Sequence, residues 1–148
     1  MTFTIHTMTK EDYSEAFDLW QRCQGIGLTD ADSSCGIEKF LDRNPGLSFI
    51  ARQGGKTVGT CLCGSDGRRG YLYHLAVDPD VRRQGIGQAL VEKAFAGLRE
   101  LGIQKCHILV FKDNELGLTF WQASGWKKRT DIDILSYDVI SVEKTSPC

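Results

Sequence analysis

Residues Tyr71 to Leu90 read YLYHLAVDPDVRRQGIGQAL, and the rest of the chain is organised around them. The aromatic and branched run from Tyr71 to Val77 predicts a strand, Asp78-Pro79-Asp80 a turn, Arg82-Arg83 a basic pair, and Gly85-Ile86-Gly87 a loop opening an amphipathic helix. That order makes an anion site. The first N–H groups of a helix lack intrahelical acceptors and sit at the positive end of its dipole, so a phosphate placed at Arg83 to Gln88 meets several donors. A β-carbon at Gly85 or Gly87 is expected to hold the phosphate off the backbone.

On the N-terminal side, Phe3 to Met8 alternates like a short strand, and Thr9 with Asp12 resembles a helix N-cap pairing. Tyr13, Ala16, Phe17, Trp20 and Cys23 then repeat at helical spacing, a face suited to docking on a sheet. Gly25 to Gly36 reads as a loop carrying Asp30 and Asp32. Ile37, Phe40 and Leu41 suggest a second helix, stopped by Asn44-Pro45-Gly46. Leu47 to Arg52 and Thr57 to Gly64 read as a hairpin about Gly54-Gly55. The helix after Gly87 is expected to bury Leu90, Val91, Ala94, Phe95, Leu98 and Leu101, with a cap at Gly102. Cys106 to Phe111 is a strand, parallel to Tyr71 to Val77 if the crossover is right-handed. Asn114 to Ser124 is a last helix closed by Gly125, and Lys127 to Val142 has the residues of a terminal hairpin turning near Thr130 to Asp133. The fold predicted is α/β, a mixed and mostly antiparallel sheet with helices, in a single domain spanning residues 1–148.

Composition bounds the function. With 148 residues, 41% hydrophobic and 25% charged, the chain suits one globular core, and no apolar run is long enough to cross a bilayer. Eighteen basic against nineteen acidic residues give a net charge of −1, which offers no general attraction to nucleic acid. Residues 1 to 42 hold eight acidic and three basic side chains, a split that suits an anionic ligand in the second half and a cationic one near the first. Met1 to His6 lacks a basic segment followed by an apolar one, so no secretory signal is expected there and the protein reads as cytoplasmic. The six cysteines are accordingly read as reduced, and their spacing predicts no metal site. Gly55-Lys56-Thr57 is not a P-loop, because Ile50 stands where the leading glycine is needed. Leu90 likewise breaks a dinucleotide fingerprint begun by Gly85 and Gly87.

Arg82-Arg83-Gln84-Gly85-Ile86-Gly87 resembles the Arg/Gln-x-x-Gly-x-Gly/Ala signature of the GNAT superfamily of N-acetyltransferases, with Leu75-Ala76-Val77 ahead of it and Asn114 to Trp126 behind it in matching context. Within that superfamily the chain looks most like small bacterial, YpeA-like members. The resemblance implies a GNAT-type sheet, mostly antiparallel, with splayed parallel central strands and helices on both faces. It implies acetyl-CoA as cosubstrate and a primary amine, of a small molecule or a protein, as acceptor, joined by direct attack in a ternary complex. By the same resemblance the pyrophosphate lies on Arg82, Arg83, Gln84, Gly85, Ile86, Gly87 and Gln88. Pantetheine lies on the backbone of Leu75, Ala76 and Val77, with a freed N–H there, as at Leu75, for the thioester oxygen, and with Asn114 and Phe120 as further contacts. Family members are often homodimers, although no exposed apolar stripe in this sequence compels one.

Attack requires a neutral amine, and an alkyl ammonium has a pKa of about 10.4, so a base or water chain must take its proton. Tyr73 and His74 are nearest in sequence to the thioester; in a regular strand they point to opposite faces, with Tyr73 on the face of Leu75 and Val77. Many relatives protonate the departing thiolate with the tyrosine of a Phe-Tyr pair, which is Phe120-Trp121 here. An indole N–H donates a hydrogen bond without delivering a proton, so Trp121 packs on the cofactor while water or the substrate ammonium supplies the proton, or Tyr137 substitutes, or the protein is a non-catalytic acyl-CoA-binding or sensing domain. Asp30 and Asp32, with Glu38, are candidates for attracting a cationic amine, against the plainer reading of a solvated loop.

Overall fold

Two β-rich runs turned about Gly54-Gly55 form the middle of a five-stranded sheet. A computed structural model describes residues 2–140. In chain order these form β1 (Thr4–Thr7), α1 (Tyr13–Arg22), α2 (Ser34–Arg43), β2 (Phe49–Gln53), β3 (Lys56–Ser65), β4 (Gly70–Val77), α3 (Ile86–Glu100), β5 (Cys106–Ile108) and α4 (Glu115–Ala123). The strands lie in sequence order. The first three pairings are antiparallel and β4–β5 is parallel, as a crossover through α3 requires.

Local chemistry sets the helix ends. Thr9 and Asp12 form the expected capping box, Thr9 N–H donating to Asp12 Oδ2 at 2.8 Å. Ser33 caps α2, and the chain leaves α3 through Gly102, where Ile103 N–H reaches Leu98 O at 3.0 Å. The amphipathic stripes then sort the helices by face. Leu19 and Trp20 of α1 and Ile37 of α2 pack on Ile50, Leu62 and Ala76. Leu90, Val91, Ala94 and Leu98 of α3 and Trp121 of α4 pack on Ala51, Cys61, Cys63 and Leu72 on the other face. Phe95 is half-buried, whereas Leu101 is 60% exposed, because the helix turns it past the edge of the sheet.

One irregularity governs the middle of the sheet. Thr60 pairs with Ala76 but Leu62 pairs with Tyr73, so His74 and Leu75 together oppose the single residue Cys61, and β4 carries a bulge. His74 adopts φ 47°, uncommon for a residue with a side chain. A buried hydrogen-bond chain holds it there. Trp20 Nε1 donates to Thr60 Oγ1 at 2.8 Å, and Thr60 Oγ1 donates to His74 O at 2.8 Å. The parallel pairing stops just short of the bulge: β4 and β5 meet only at Gly70–Cys106, Tyr71–His107 and Leu72–Ile108. The splayed strands are therefore present, and β5 ends at Ile108 instead of running to Phe111.

The described part of the expected terminal hairpin holds no strand. Residues 127–140 contain no strand, and the remainder of the expected span, Ser141 and Val142, lies outside the described residues. A two-stranded hairpin is stable only when it buries an apolar face, and here that face stays uncovered: Leu135, Tyr137 and Val139 are about nine-tenths exposed. Ile132, Ile134 and Ile140 are exposed with them, so an apolar surface exists where the sequence compels none.

Thr60→Val should lower unfolding stability by about 1–3 kcal/mol, since it leaves the buried Trp20 N–H and His74 carbonyl unpaired while keeping the side-chain volume. Urea denaturation reads this directly, and Thr60→Ser should retain most of the stability.

Candidate active site

The Asp78 turn carries the chain from β4 to the glycine loop. Asp78 N–H donates to Val58 O at 2.8 Å, its Oδ1 accepts the N–H of Asp80 at 3.0 Å, and Arg22 Nη1 from the end of α1 reaches its Oδ2 at 3.1 Å. Burial raises the Asp78 carboxyl's affinity for a proton, but the Asp80 N–H and Arg22 outweigh it, and its pKa lies below the usual carboxylate value. Arg83 and Gly85 then turn with φ 68° and 80°, delivering the chain into α3 at Ile86.

No side chain caps α3, and its first turn holds no acidic residue. Its first bond from inside is Ala89 N–H to Gly85 O at 3.0 Å, so the N–H groups of Ile86, Gly87 and Gln88 precede the helical ladder. Arg82 and Arg83 are exposed beside them. One uncapped helix end and two cations thus lie side by side. The two glycines differ in what surrounds them. A Cβ at Gly85 would meet open space, so its positive φ is what demands glycine. A Cβ at Gly87 would come 3.3 Å from Phe120 Cζ, so Gly87 lets α4 close against the helix end. Two glutamines brace the loop: Gln53 Nε2 donates to Gln84 Oε1 at 2.9 Å, and Gln88 Nε2 donates to Ser124 Oγ.

The gap between β4 and β5 opens at the same end of the sheet. In antiparallel pairs residues alternate between facing the partner and facing away; Asp78 bonds to β3, so Val77 turns its N–H and C=O toward the β5 side. Arg82 Nε donates to Val77 O at 3.3 Å, and Cys23 Sγ lies 3.6 Å from the same oxygen. Across the gap Asn114 is the N-cap of α4, its Oδ1 accepting Gly117 N–H at 2.9 Å. The loop after α1 presses on this wall: a Cβ at Gly25 would come 2.4 Å from Asn114 Nδ2, and one at Gly27 2.8 Å from Phe111 Cζ.

The bulge changes the expected placement of the two candidate bases. Tyr73 and His74 lie on one face. Tyr73 packs edge-on against Phe40 of α2 at 5.8 Å, and the His74 ring packs edge-on against Trp20 of α1 at 4.7 Å. Leu75 and Val77 pack toward the α3 face. The inserted residue removes the alternation that a regular strand would impose. Tyr73 is 37% exposed, and burial, followed by nearby Tyr71, raises its pKa.

Asp32 is a buried residue, not a solvated one. Its Oδ2 accepts Thr29 N–H at 2.9 Å, and its Oδ1 lies 2.7 Å from His74 Nε2. Asp30 is exposed on the same turn, and Glu38 lies 3.7 Å from Lys10 Nζ. Trp121 is 7% exposed within an aromatic group, 5.0 Å from Phe120 and 5.0 Å from Trp126, so it packs in the core. Tyr137 is 91% exposed in the tail, outside the packed site. Cys23, Cys61, Cys63 and Cys106 are free, and burial pushes the Cys63 thiol up to about 12 and Cys106 up to about 11. Cys35 departs from the expectation of six reduced thiols, because it is disulfide-bonded. Among the described residues no group of three His, Cys, Asp or Glu side chains could hold a metal.

Sequence reasoning missed the parts that fix these groups. Trp20, Thr60 and Tyr13 touch partners 14 to 40 residues away, and only the demand of a buried indole for an acceptor hinted at them.

A bulged mixed sheet, an open strand edge and an uncapped helix end thus meet at one end of the fold. The acetyltransferase (GNAT) family profile matches residues 11–126, and the chain belongs to that family. An acetyltransferase of Pectobacterium atrosepticum is 34% identical over 111 residues, covering 75% of this chain and 78% of its own. One from Sodalis glossinidius is 29% identical over 136 residues, covering 92% and 95%. The crystal structure of the PaiA N-acetyltransferase of Thermoplasma acidophilum in complex with coenzyme A superposes with a TM-score of 0.79 at 19% identity, covering 90% of this chain and 94% of that one, and shares its fold.

Because the Asp78 pKa is depressed on folding, its stabilising effect is present above the unfolded value of about 3.9 and is lost as pH falls through the lower folded value. The stability gap between wild type and Asp78→Asn should hold steady from about pH 7 to pH 5 and narrow below about pH 4. Melting temperatures across that range measure it.

Proposed function

We propose that the protein is an N-acetyltransferase, a single domain that moves the acetyl group of acetyl-CoA to a primary amine by direct attack in a ternary complex. The observation that carries this reading is the coincidence of two features at one end of the sheet: β4–β5 pairing ends at Leu72, and the uncapped start of α3 lies just beyond Val77. An extended amide arm can pair with the free edge while its phosphates meet the helix. In this reading the backbone of Leu75, Ala76 and Val77 receives the pantetheine. Arg82, Arg83, Gln84, Gly85, Ile86, Gly87 and Gln88 hold the pyrophosphate, Gln84 and Gln88 chiefly through their backbone because their side chains brace the loop. Asn114 and Phe120 form the opposite wall, and the Leu75 N–H stabilises the oxyanion of the attacked thioester. Proton removal falls to the bulge, at Tyr73 or His74.

Membership of an acetyltransferase family supports acetyl transfer, and the coenzyme A complex of the Thermoplasma acidophilum enzyme supports the cosubstrate. The raised thiol pKa values of Cys63 and Cys106 weigh against an acyl-cysteine route. The reading includes a cytoplasmic location, supported by four free thiols with Cys35 as the exception; among the described residues no helix is long and apolar enough to cross a membrane. It includes a homodimer as well, supported by the open edge of β5 and the exposed apolar residues Ile132 to Ile140. Sedimentation analysis of wild type and Tyr137→Asp tests that arrangement: wild type should sediment as a dimer and the variant as a monomer.

A second reading, a non-catalytic acyl-CoA-binding domain, is favoured by Trp121, which puts a buried indole where many relatives carry a tyrosine hydroxyl. The two separate in one experiment. CoA release from acetyl-CoA is measured over pooled polyamines, aminoglycosides and peptides, with products identified by mass spectrometry. An acetylated amine supports the enzyme; a melting-temperature rise with acetyl-CoA and no product supports the binding domain.

Gly87→Glu should abolish the thermal shift produced by acetyl-CoA, since an added carboxylate faces the helix N-terminus and crowds Phe120. An undiminished shift would overturn the assignment of the loop to the pyrophosphate.

A further inference from the structure

An imidazole from the bulge on β4 and a carboxylate from the loop between α1 and α2 meet as a pair, and the pair has a direction. His74 Nε2 lies 2.7 Å from Asp32 Oδ1, and both side chains are largely buried, at 14% and 11% exposure. Burial works against an ionised Asp32, but the His74 and Thr29 hydrogen bonds outweigh it, and its pKa lies below the ordinary value. An ionised carboxylate is acceptor-only, so the neutral imidazole must carry its proton on Nε2 and present a lone pair on Nδ1. Asp32 is itself fixed. Its Oδ2 takes Thr29 N–H, and its carbonyl accepts Tyr13 Oη–H at 2.7 Å. His74 is held by Trp20 against its ring and by Thr60 on its carbonyl.

We propose that His74 is the general base for the acceptor amine, with Asp32 as its positioning residue; this rests on the N-acetyltransferase reading. Tyr73, the neighbouring candidate, is the poorer choice because its phenol, with its pKa raised by burial, stays protonated at neutral pH and has no proton-accepting form to offer. The protons balance without a tyrosine at Trp121. One proton of the substrate ammonium passes to His74 Nδ1 and on to solvent. The freed nitrogen lone pair then forms the C–N bond at the thioester carbonyl, and the C–S bond breaks. A second proton leaves the same nitrogen for the departing thiolate, giving amide and thiol. The substrate nitrogen thus supplies the proton that an indole cannot.

The groups packed about His74 are Trp20 and, through Asp32, Tyr13 from α1, Asp32 from the loop between α1 and α2, Thr60 from β3, and Tyr73 beside it on β4. Of these, Asp32 and the two tyrosines titrate, and the tyrosines do so only at high pH.

The test uses the full chain and the acceptor found in the amine pool. His74→Gln should lower kcat by about 10²-fold or more, and Asp32→Asn should lower it and shift the acid limb of the kcat/KM profile, both with the acetyl-CoA thermal shift retained. His74→Gly suits the positive φ, and added imidazole should restore part of its turnover in proportion to the neutral imidazole present. Variants that keep wild-type turnover, or that lose turnover together with acetyl-CoA binding and gain nothing from imidazole, would show a structural pair and overturn the proposal. A wild type that acetylates none of the pooled amines removes the underlying reading itself, and the pair's role with it.

Discussion

The hydrogen-bond chain from Trp20 Nε1 through Thr60 Oγ1 to the His74 carbonyl locks the middle of the sheet, and the ligand gap and the candidate base are both built on that lock. It spans α1, β3 and β4 inside the core, where an unmatched donor or acceptor is costly, so it holds a strand irregularity that sequence preference alone would smooth out. His74 sits at positive φ because the surroundings over-determine it. With the extra residue in place, β4 leaves β5 after Leu72, and the sheet splits where an extended ligand can enter.

That split is useful because of where α3 begins. The Asp78 turn ties the end of β4 to β3 and, through Arg22, to α1, so the glycine loop starts from a fixed point. Gln53 and Gln88 then brace the loop from two sides. The helix N-terminus keeps its N–H groups unspent while its surroundings are rigid, which is the condition for binding an anion without reordering the backbone. Gly87 adds a second function, since its missing β-carbon admits Phe120 and brings α4 over the same end.

The bulge also decides which side chains meet on the opposite face. In a regular strand only one of Tyr73 and His74 could face α1 and α2. With the inserted residue both do, and His74 meets Asp32 from the loop between those helices. The acidic excess of the first 42 residues therefore has a specific member, Asp32, that is buried and bonded, while Asp30 remains at the surface. A charge count cannot tell these apart, because burial belongs to the packed loop.

Features that depend on period and local chemistry were legible in the chain before it folds. Alternation placed the hairpin about Gly54-Gly55, helical spacing placed the faces of α1 and α3, Thr9 with Asp12 placed a cap, and the run Arg82 to Gly87 carried the resemblance to the family. Each of these depends on residues within about one helical turn or one strand pair. The bulge, the shortening of β5, the side on which Tyr73 and His74 lie, the burial of Asp32 and Trp121, and the lack of a hairpin in residues 127–140 were set only by tertiary packing. Those features rest on contacts such as Trp20 to Thr60 and Asp32 to His74, forty residues or so apart, whose energies exist only once the helices have closed on the sheet.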